Sequence, residues 1–167
     1  MKYPLLAAMI GIGGLAISGC SPADRGGAVR APAAVAATGT IRSQDDLQRY
    51  LVATANSGSP LGALSSGART RFLSSLTFNE RGVTGFHYSD LQAELTASQI
   101  VAVLHLFGVE KDVAIIPNVR VETASDRRMI KSFELIDANE ETDYKGYYCP
   151  SPGTCTVKLD SICTSNC

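Results

Sequence analysis

Apolar residues recur along this chain at two different periods, and the period decides which segments become helices and which become strands. Ile100, Val103, Leu104 and Phe107 fall at i, i+3, i+4 and i+7, the stripe of a helix that buries one face. Thr96-Ala97-Ser98-Gln99 in front of the stripe is a capping box, and Gly108 behind it is a stop. Leu47, Tyr50, Leu51 and Thr54 give a second helical stripe over about 43–55. Ser43 serves as its N-cap, and Asp45 and Asp46 suit the positive end of the helix dipole. Ser57-Gly58-Ser59-Pro60 then breaks the chain. A further helix is expected over 66–75, with Phe72 and Leu73 turned inward and Arg69 and Arg71 outward. Ser89-Asp90-Leu91-Gln92 reads as another capping box, opening a short helix that makes a bent pair with the one after Thr96.

The alternating period appears on both sides of Asn79-Glu80-Arg81-Gly82. Residues 76–78 and 83–88 flank this Gly-ended turn and predict a short hairpin. Residues 113–116 form a buried-looking apolar run closed by Pro117, and 119–123 alternate like a strand. Residues 126–135 fit a helix, with Met129, Ile130 and Phe133 inward, somewhat better than a strand. These elements predict an α+β fold: a mainly helical compact domain over 41–167 with a small β-hairpin and a disulfide-bonded C-terminal tail.

The first 40 residues follow a different pattern. Met1-Lys2-Tyr3 is a short basic start, and residues 5–17 are an uncharged apolar run of 13. A membrane-spanning helix needs roughly 20 such residues and the core of an export signal about 7–15, so the run is read as an export signal. It ends in Leu15-Ala16-Ile17-Ser18-Gly19-Cys20. This resembles the lipobox of bacterial lipoproteins, with a branched apolar residue three before the cysteine and two small residues next to it. The resemblance implies removal of residues 1–19, a diacylglyceryl group on the Cys20 thiol and acylation of its new amine. Two or more acyl chains make anchoring stable where one is marginal. Ser21 rather than Asp after the cysteine implies the outer membrane, with the domain facing the periplasm. Residues 21–40, rich in Ala, Pro and Gly, read as a flexible tether of roughly 25 Å r.m.s. span.

The other four cysteines, Cys149, Cys155, Cys163 and Cys167, all fall in the last 19 residues. An even number in an exported chain predicts two disulfides. A local pairing, 149–155 with 163–167, and a nested one, 149–167 with 155–163, both remain open. A four-cysteine zinc site is disfavoured, because the spacings contain no CxxC knuckle.

Composition excludes more than it selects. With 45% hydrophobic residues the chain can build a core, and a formal net charge of -1 gives no basic face for nucleic acid. His87 and His105 are the two histidines, and neither sits in an HExxH motif. GxSxG and SxxK motifs are absent as well, so no enzyme chemistry and no cofactor or metal is expected. The 137–143 segment begins like a calcium loop but lacks the turn glycine and the closing glutamate, which makes it a solvated acidic loop. Glu140, Glu141 and Asp143 lie beside Tyr144, Tyr147 and Tyr148. This acidic, tyrosine-rich stretch is the candidate surface for a protein partner, since tyrosines supply contact area and carboxylates steer a basic partner. In plan, a lipid anchor, a tether and a small disulfide-bearing domain, the chain resembles immunity lipoproteins and lipoprotein inhibitors of wall-degrading enzymes. The expected function is therefore non-catalytic binding and neutralisation of a protein partner, with an accessory role in an envelope or secretion complex as the alternative.

Overall fold

Hydroxyl side chains start most of the helices. In the computed structural model, which describes residues 41–55, 58–137 and 143–167 (the side chains of 134–137 excepted), Ser43 caps α1, Gln44–Ala53. Its Oγ accepts the Asp46 N–H at 3.1 Å and donates to the Asp46 carboxylate at 2.8 Å. The Ser43 hydroxyl, followed by the Arg42 N–H, holds the Asp46 carboxyl below its usual pKa. Residues 54 and 55 fall outside the helix, because Thr54 caps its end and turns its hydroxyl back onto the Tyr50 carbonyl at 2.8 Å. The break after α1 contains a 3-10 turn, Pro60–Ala63, capped by Ser59; it delivers Leu61 and Leu64 into the core.

Helix α2, Ser66–Ser75, occupies the expected span and buries Phe72. Its cap, Ser65, is held from outside: both its N–H and its hydroxyl reach the Glu94 carboxylate at 2.7 Å. Helix α3, Ser89–Glu94, forms without the expected capping box. Tyr88 occupies the N-cap, so Ser89 is already helical, Asp90 turns to the Arg71 guanidinium and Gln92 donates to the Pro117 carbonyl at 2.6 Å. The box at Thr96 does form, opening α4, Ala97–His105. Ile100, Val103 and Leu104 are fully buried and Phe107 nearly so, and Gly108 takes a positive φ of 69° just beyond.

Residues 113–116 are buried at Val113 and Ile116, as their apolar run suggests, within and after a second 3-10 turn, Glu110–Ala114. Residues 119–123 do not become a strand; a single parallel bridge joins Arg120 to Thr96. Asn118 turns the chain at φ 49°, and the N–H groups of Glu122 and Thr123 are taken by the Asp126 carboxylate, which removes them from any ladder. Helix α5, Ala124–Asp137, follows, with Ile130 and Phe133 packed against the core.

The sheet has four antiparallel strands in the order β1-β2-β4-β3. Strands β1, Thr77–Asn79, and β2, Gly82–His87, form the expected hairpin, though β2 ends one residue early because Tyr88 caps α3. Strands β3, Tyr144–Ser151, and β4, Thr154–Cys163, form a second hairpin where a disulfide-bonded tail is expected. The C-terminal tail is thus mostly sheet. The core lies among the helices and β2, where Phe72 meets Phe86 and Phe107 edge to face at 6.2 and 6.0 Å.

Candidate functional site

The second hairpin is held at both ends by covalent and polar ties. Cys149 of β3 pairs with Cys167, and Cys155 with Cys163. The nested pairing is therefore the one formed, and the local pairing is not. All four sulfurs are taken up as two S–S bonds, which leaves no thiolate set for zinc. The segment after β4 is sewn into the first hairpin: the Thr164 N–H reaches the Thr84 carbonyl at 3.0 Å, and its hydroxyl donates to the Val83 carbonyl at 2.6 Å. Asn79 and Arg81 both donate to the Asn166 carbonyl, at 2.5 and 2.9 Å.

Strand β4 doubles back on itself. Eight residues of straight strand would cover about 26 Å, yet the Cα atoms of Cys155 and Cys163 are 6.0 Å apart. The register shows where the bend lies. Lys145 pairs with Ile162 and Tyr147 with Val157, so residues 158–161 have no partner on β3. Asp160 takes a φ of 57° there, a left-handed conformation that Asp tolerates better than most residues. Gly146 opposite takes a φ of 83°. The result is an arch with Leu159 on it.

The arch sorts the hairpin's side chains onto two faces. Tyr147 and Val157 are paired directly across the strands and therefore point the same way. The Tyr144 ring meets the Tyr147 ring at 6.1 Å, and Leu159 follows Val157 by two residues on the same strand. These four are exposed by 54% (Tyr144), 36% (Tyr147), 68% (Val157) and 82% (Leu159). Tyr148 and Thr156, also paired, point to the other face, where Lys158 sits 5.1 Å from the Tyr148 ring centroid.

That second face borders a groove of about 650 Å³ between the hairpin, α2 and α3, lined among others by Arg71, His87, Asp90, Tyr148 and Lys158. Its charged side chains already have neighbours within the protein. Arg71 forks onto Asp90 at 3.1 and 2.5 Å, and Asp160 acts on His87 against Lys158. Burial, then Lys158, pushes the His87 pKa down. His105, on α4, lies 3.4 Å from Glu110.

The acidic, tyrosine-rich stretch divides in the same way. Tyr144 and Tyr147 reach the outer face, whereas Tyr148 turns to the groove beneath Lys158. Asp143 is buried: its carboxylate accepts the Ser165 N–H and lies 3.7 Å from Lys111, so it anchors the hairpin's start instead of meeting a partner. Glu140 and Glu141 lie outside the described residues, as do the leader, Cys20 and the tether. Sequence reasoning missed Val157 and Leu159. The alternation of Tyr147 with Val157 is visible only once the second hairpin is recognised, and Ser151-Pro152-Gly153 between two runs of β-formers is the signal that could have found it. Among the described residues no helix is long and apolar enough to cross a membrane. No protein-family model, no characterised protein and no solved structure matches this chain.

Proposed function

We propose that the chain is an exported, lipid-anchored, non-catalytic protein that binds a protein partner through the outer face of the β3–β4 hairpin. One observation carries this reading. Tyr144 and Tyr147, whose rings meet, and Val157, paired across from Tyr147, stand exposed on a hairpin braced by two disulfides, and Leu159, two residues beyond Val157, is exposed as well. Tyrosine offers large contact area with few rotamers to freeze, and a covalently braced hairpin is already in its binding shape. Large apolar groups gathered on one exposed face mark a contact surface more often than isolated ones do. The two disulfides favour an oxidising compartment, in keeping with the export signal and lipid attachment at Cys20 read from the sequence.

Glu140 and Glu141, just upstream of Tyr144 in the chain, would add negative charge beside this face and speed the approach of a basic partner such as a wall-degrading enzyme or a delivered toxin. A photo-crosslinking residue placed at position 159 in the native envelope tests the reading. A discrete protein adduct that is absent when the same residue stands at exposed Val52 is the expected result; equal labelling from both positions refutes it. An adduct to a membrane complex would assign the accessory role in assembly, and one to a soluble enzyme or toxin the neutralising role. Loss of palmitate labelling in Cys20→Ala tests the anchor.

A further inference from the structure

In each disulfide of the hairpin one cysteine is partly exposed and the other is buried. Cys149 and Cys155 are half-buried, whereas Cys163 is fully buried and Cys167 is 7% exposed. Three of the sulfurs converge: the Sγ atoms of Cys149, Cys163 and Cys167 all lie within 4.8 Å of one another, although Cys163 is bonded to Cys155 and not to either of the others. Two sulfurs in van der Waals contact are about 3.6 Å apart, so a shift of roughly an ångström brings Cys163 onto either sulfur of the neighbouring bond.

We propose that the two disulfides form an exchange-coupled pair, in which opening the Cys155–Cys163 bond sets off rearrangement of the Cys149–Cys167 bond. A small external thiolate reaches Cys155 before Cys163, because only Cys155 is partly exposed. Its attack forms a mixed disulfide at Cys155 and breaks the Cys155–Cys163 bond, and the electron pair leaves on Cys163. The Cys163 thiolate then attacks Cys167, forming Cys163–Cys167 and expelling Cys149 as thiolate; attack on Cys149 forms Cys149–Cys163 and expels Cys167. Neither exchange changes the oxidation state of the protein. A second thiolate from the reductant cleaves the mixed disulfide at Cys155, which completes a two-electron reduction in which two external thiols become one disulfide. Entry at Cys149 expels Cys167 within 4.8 Å of Cys163 and starts the same sequence from the other bond.

The coupling has a structural consequence. The Cys155–Cys163 tie spans the bend in β4, so a protein carrying Cys163–Cys167 in its place has the arch free of its brace. The half-reduced protein then holds one disulfide that interchanges among the three linkages of Cys149, Cys163 and Cys167, and a thiol-bearing reductant of the envelope relaxes the arch without reducing the molecule fully.

Limiting dithiothreitol applied to the folded protein at pH 8, with acid quenching at intervals, alkylation and peptide mapping by mass spectrometry, tests this. One-disulfide species containing Cys149–Cys163 or Cys163–Cys167 linkages, at a combined yield comparable to the native ones and rising with time before the quench, are expected. One-disulfide species holding only the two native linkages at every time point would overturn the proposal. Cys155→Ser makes the Cys163 thiol permanent and removes the need for a reductant. It is expected to yield a mixture of the three linkages among Cys149, Cys163 and Cys167, whereas a single Cys149–Cys167 species with a fully alkylatable Cys163 under mild denaturation would also overturn it. The wild-type experiment stands whether or not that variant folds.

Discussion

Asp126 accepts hydrogen bonds from Ser98, Glu122 and Thr123, through both the N–H and the hydroxyl of Ser98 and of Thr123. In return the Thr123 hydroxyl accepts the Asp126 N–H at 3.0 Å, so Thr123-Ala124-Ser125-Asp126 caps α5 while tying it to the start of α4. The Ser98 hydroxyl, followed by the Thr123 N–H, drives the Asp126 pKa far below the ordinary carboxylate range. A carboxyl with a depressed folded pKa contributes stability that is complete above its unfolded value of about 4 and disappears as the pH falls toward the folded value. Asp126→Asn is therefore expected to lower the melting temperature at pH 7, with the gap to wild type shrinking below pH 4; melts followed by circular dichroism across this range test it. A second residue-scale prediction concerns space. A Cβ on Gly85 would stand 2.9 Å from the Ile162 carbonyl oxygen, an atom of the paired strand's backbone that cannot swing aside. Gly85→Ala should cost about 1–3 kcal/mol in urea titration. Phe72→Ala, which removes the ring shared by Phe86 and Phe107, should cost about 3–5 kcal/mol.

At the scale of elements, what could be read from the chain follows from how local its cause is. Helices α1, α2 and α4 carry their own stripes and caps, and they occupy the expected spans to within two residues at their ends. The first hairpin carries its own turn. The misread segments are those whose conformation is settled by something distant. Residues 119–123 look like a strand, but Asp126, whose carboxylate is tied to Ser98 of α4, claims the N–H groups of Glu122 and Thr123. Ser89 looks like a cap, but Arg71 on α2 takes the aspartate beside it. The second hairpin escaped because Val157, Leu159 and Tyr147 are strand formers with no hydrophobic core beneath them, so apolar alternation does not mark an inner face. Of the candidate surface, Tyr144 and Tyr147 were legible from composition alone, whereas Asp143 could not be told from its exposed neighbours without seeing Ser165 and Lys111 around it. The disulfides show the same dependence, since cysteine count predicts two bonds and only the bend in β4 selects the nested pair. In the chain-entropy account the pair 149–167, with a sequence separation of 18, should contribute about 3 kcal/mol, and 155–163, with a separation of 8, about 2.5 kcal/mol. Replacing each pair by serines and comparing urea midpoints is expected to rank them in that order. A larger loss from the 155–163 replacement would show that the arch itself depends on its tie.

For the whole molecule, the distribution of exposure separates the groups that hold the fold from those proposed for recognition. The core is closed by helices, β2 and Ile162 at the end of β4, while Tyr144, Tyr147, Val157 and Leu159 add nothing to it. Substitutions on that face should leave the fold within about 0.5 kcal/mol of wild type, as surface changes generally do. The same changes should strike binding hard, because buried aromatic and aliphatic groups at the centre of an interface commonly account for 2 kcal/mol or more each. The sheet edge at β3 is poorly suited to binding by strand addition, since Pro150 lacks an N–H and Gly146 is bulged out of register, so the proposed contact would be made by side chains and not by backbone. The double variant Tyr147→Ala, Leu159→Asp is thus expected to keep its melting temperature and both disulfides while losing at least thirtyfold in affinity for the crosslinked partner, measured by calorimetry or surface plasmon resonance. Charge reversal at Glu140 and Glu141, near Tyr144 in the chain, is expected to slow association with a basic partner at low salt, because carboxylates of opposite charge steer the encounter. A partner that binds the double variant as tightly as the wild type would place recognition elsewhere on the domain and leave the exposed hairpin face without a binding role.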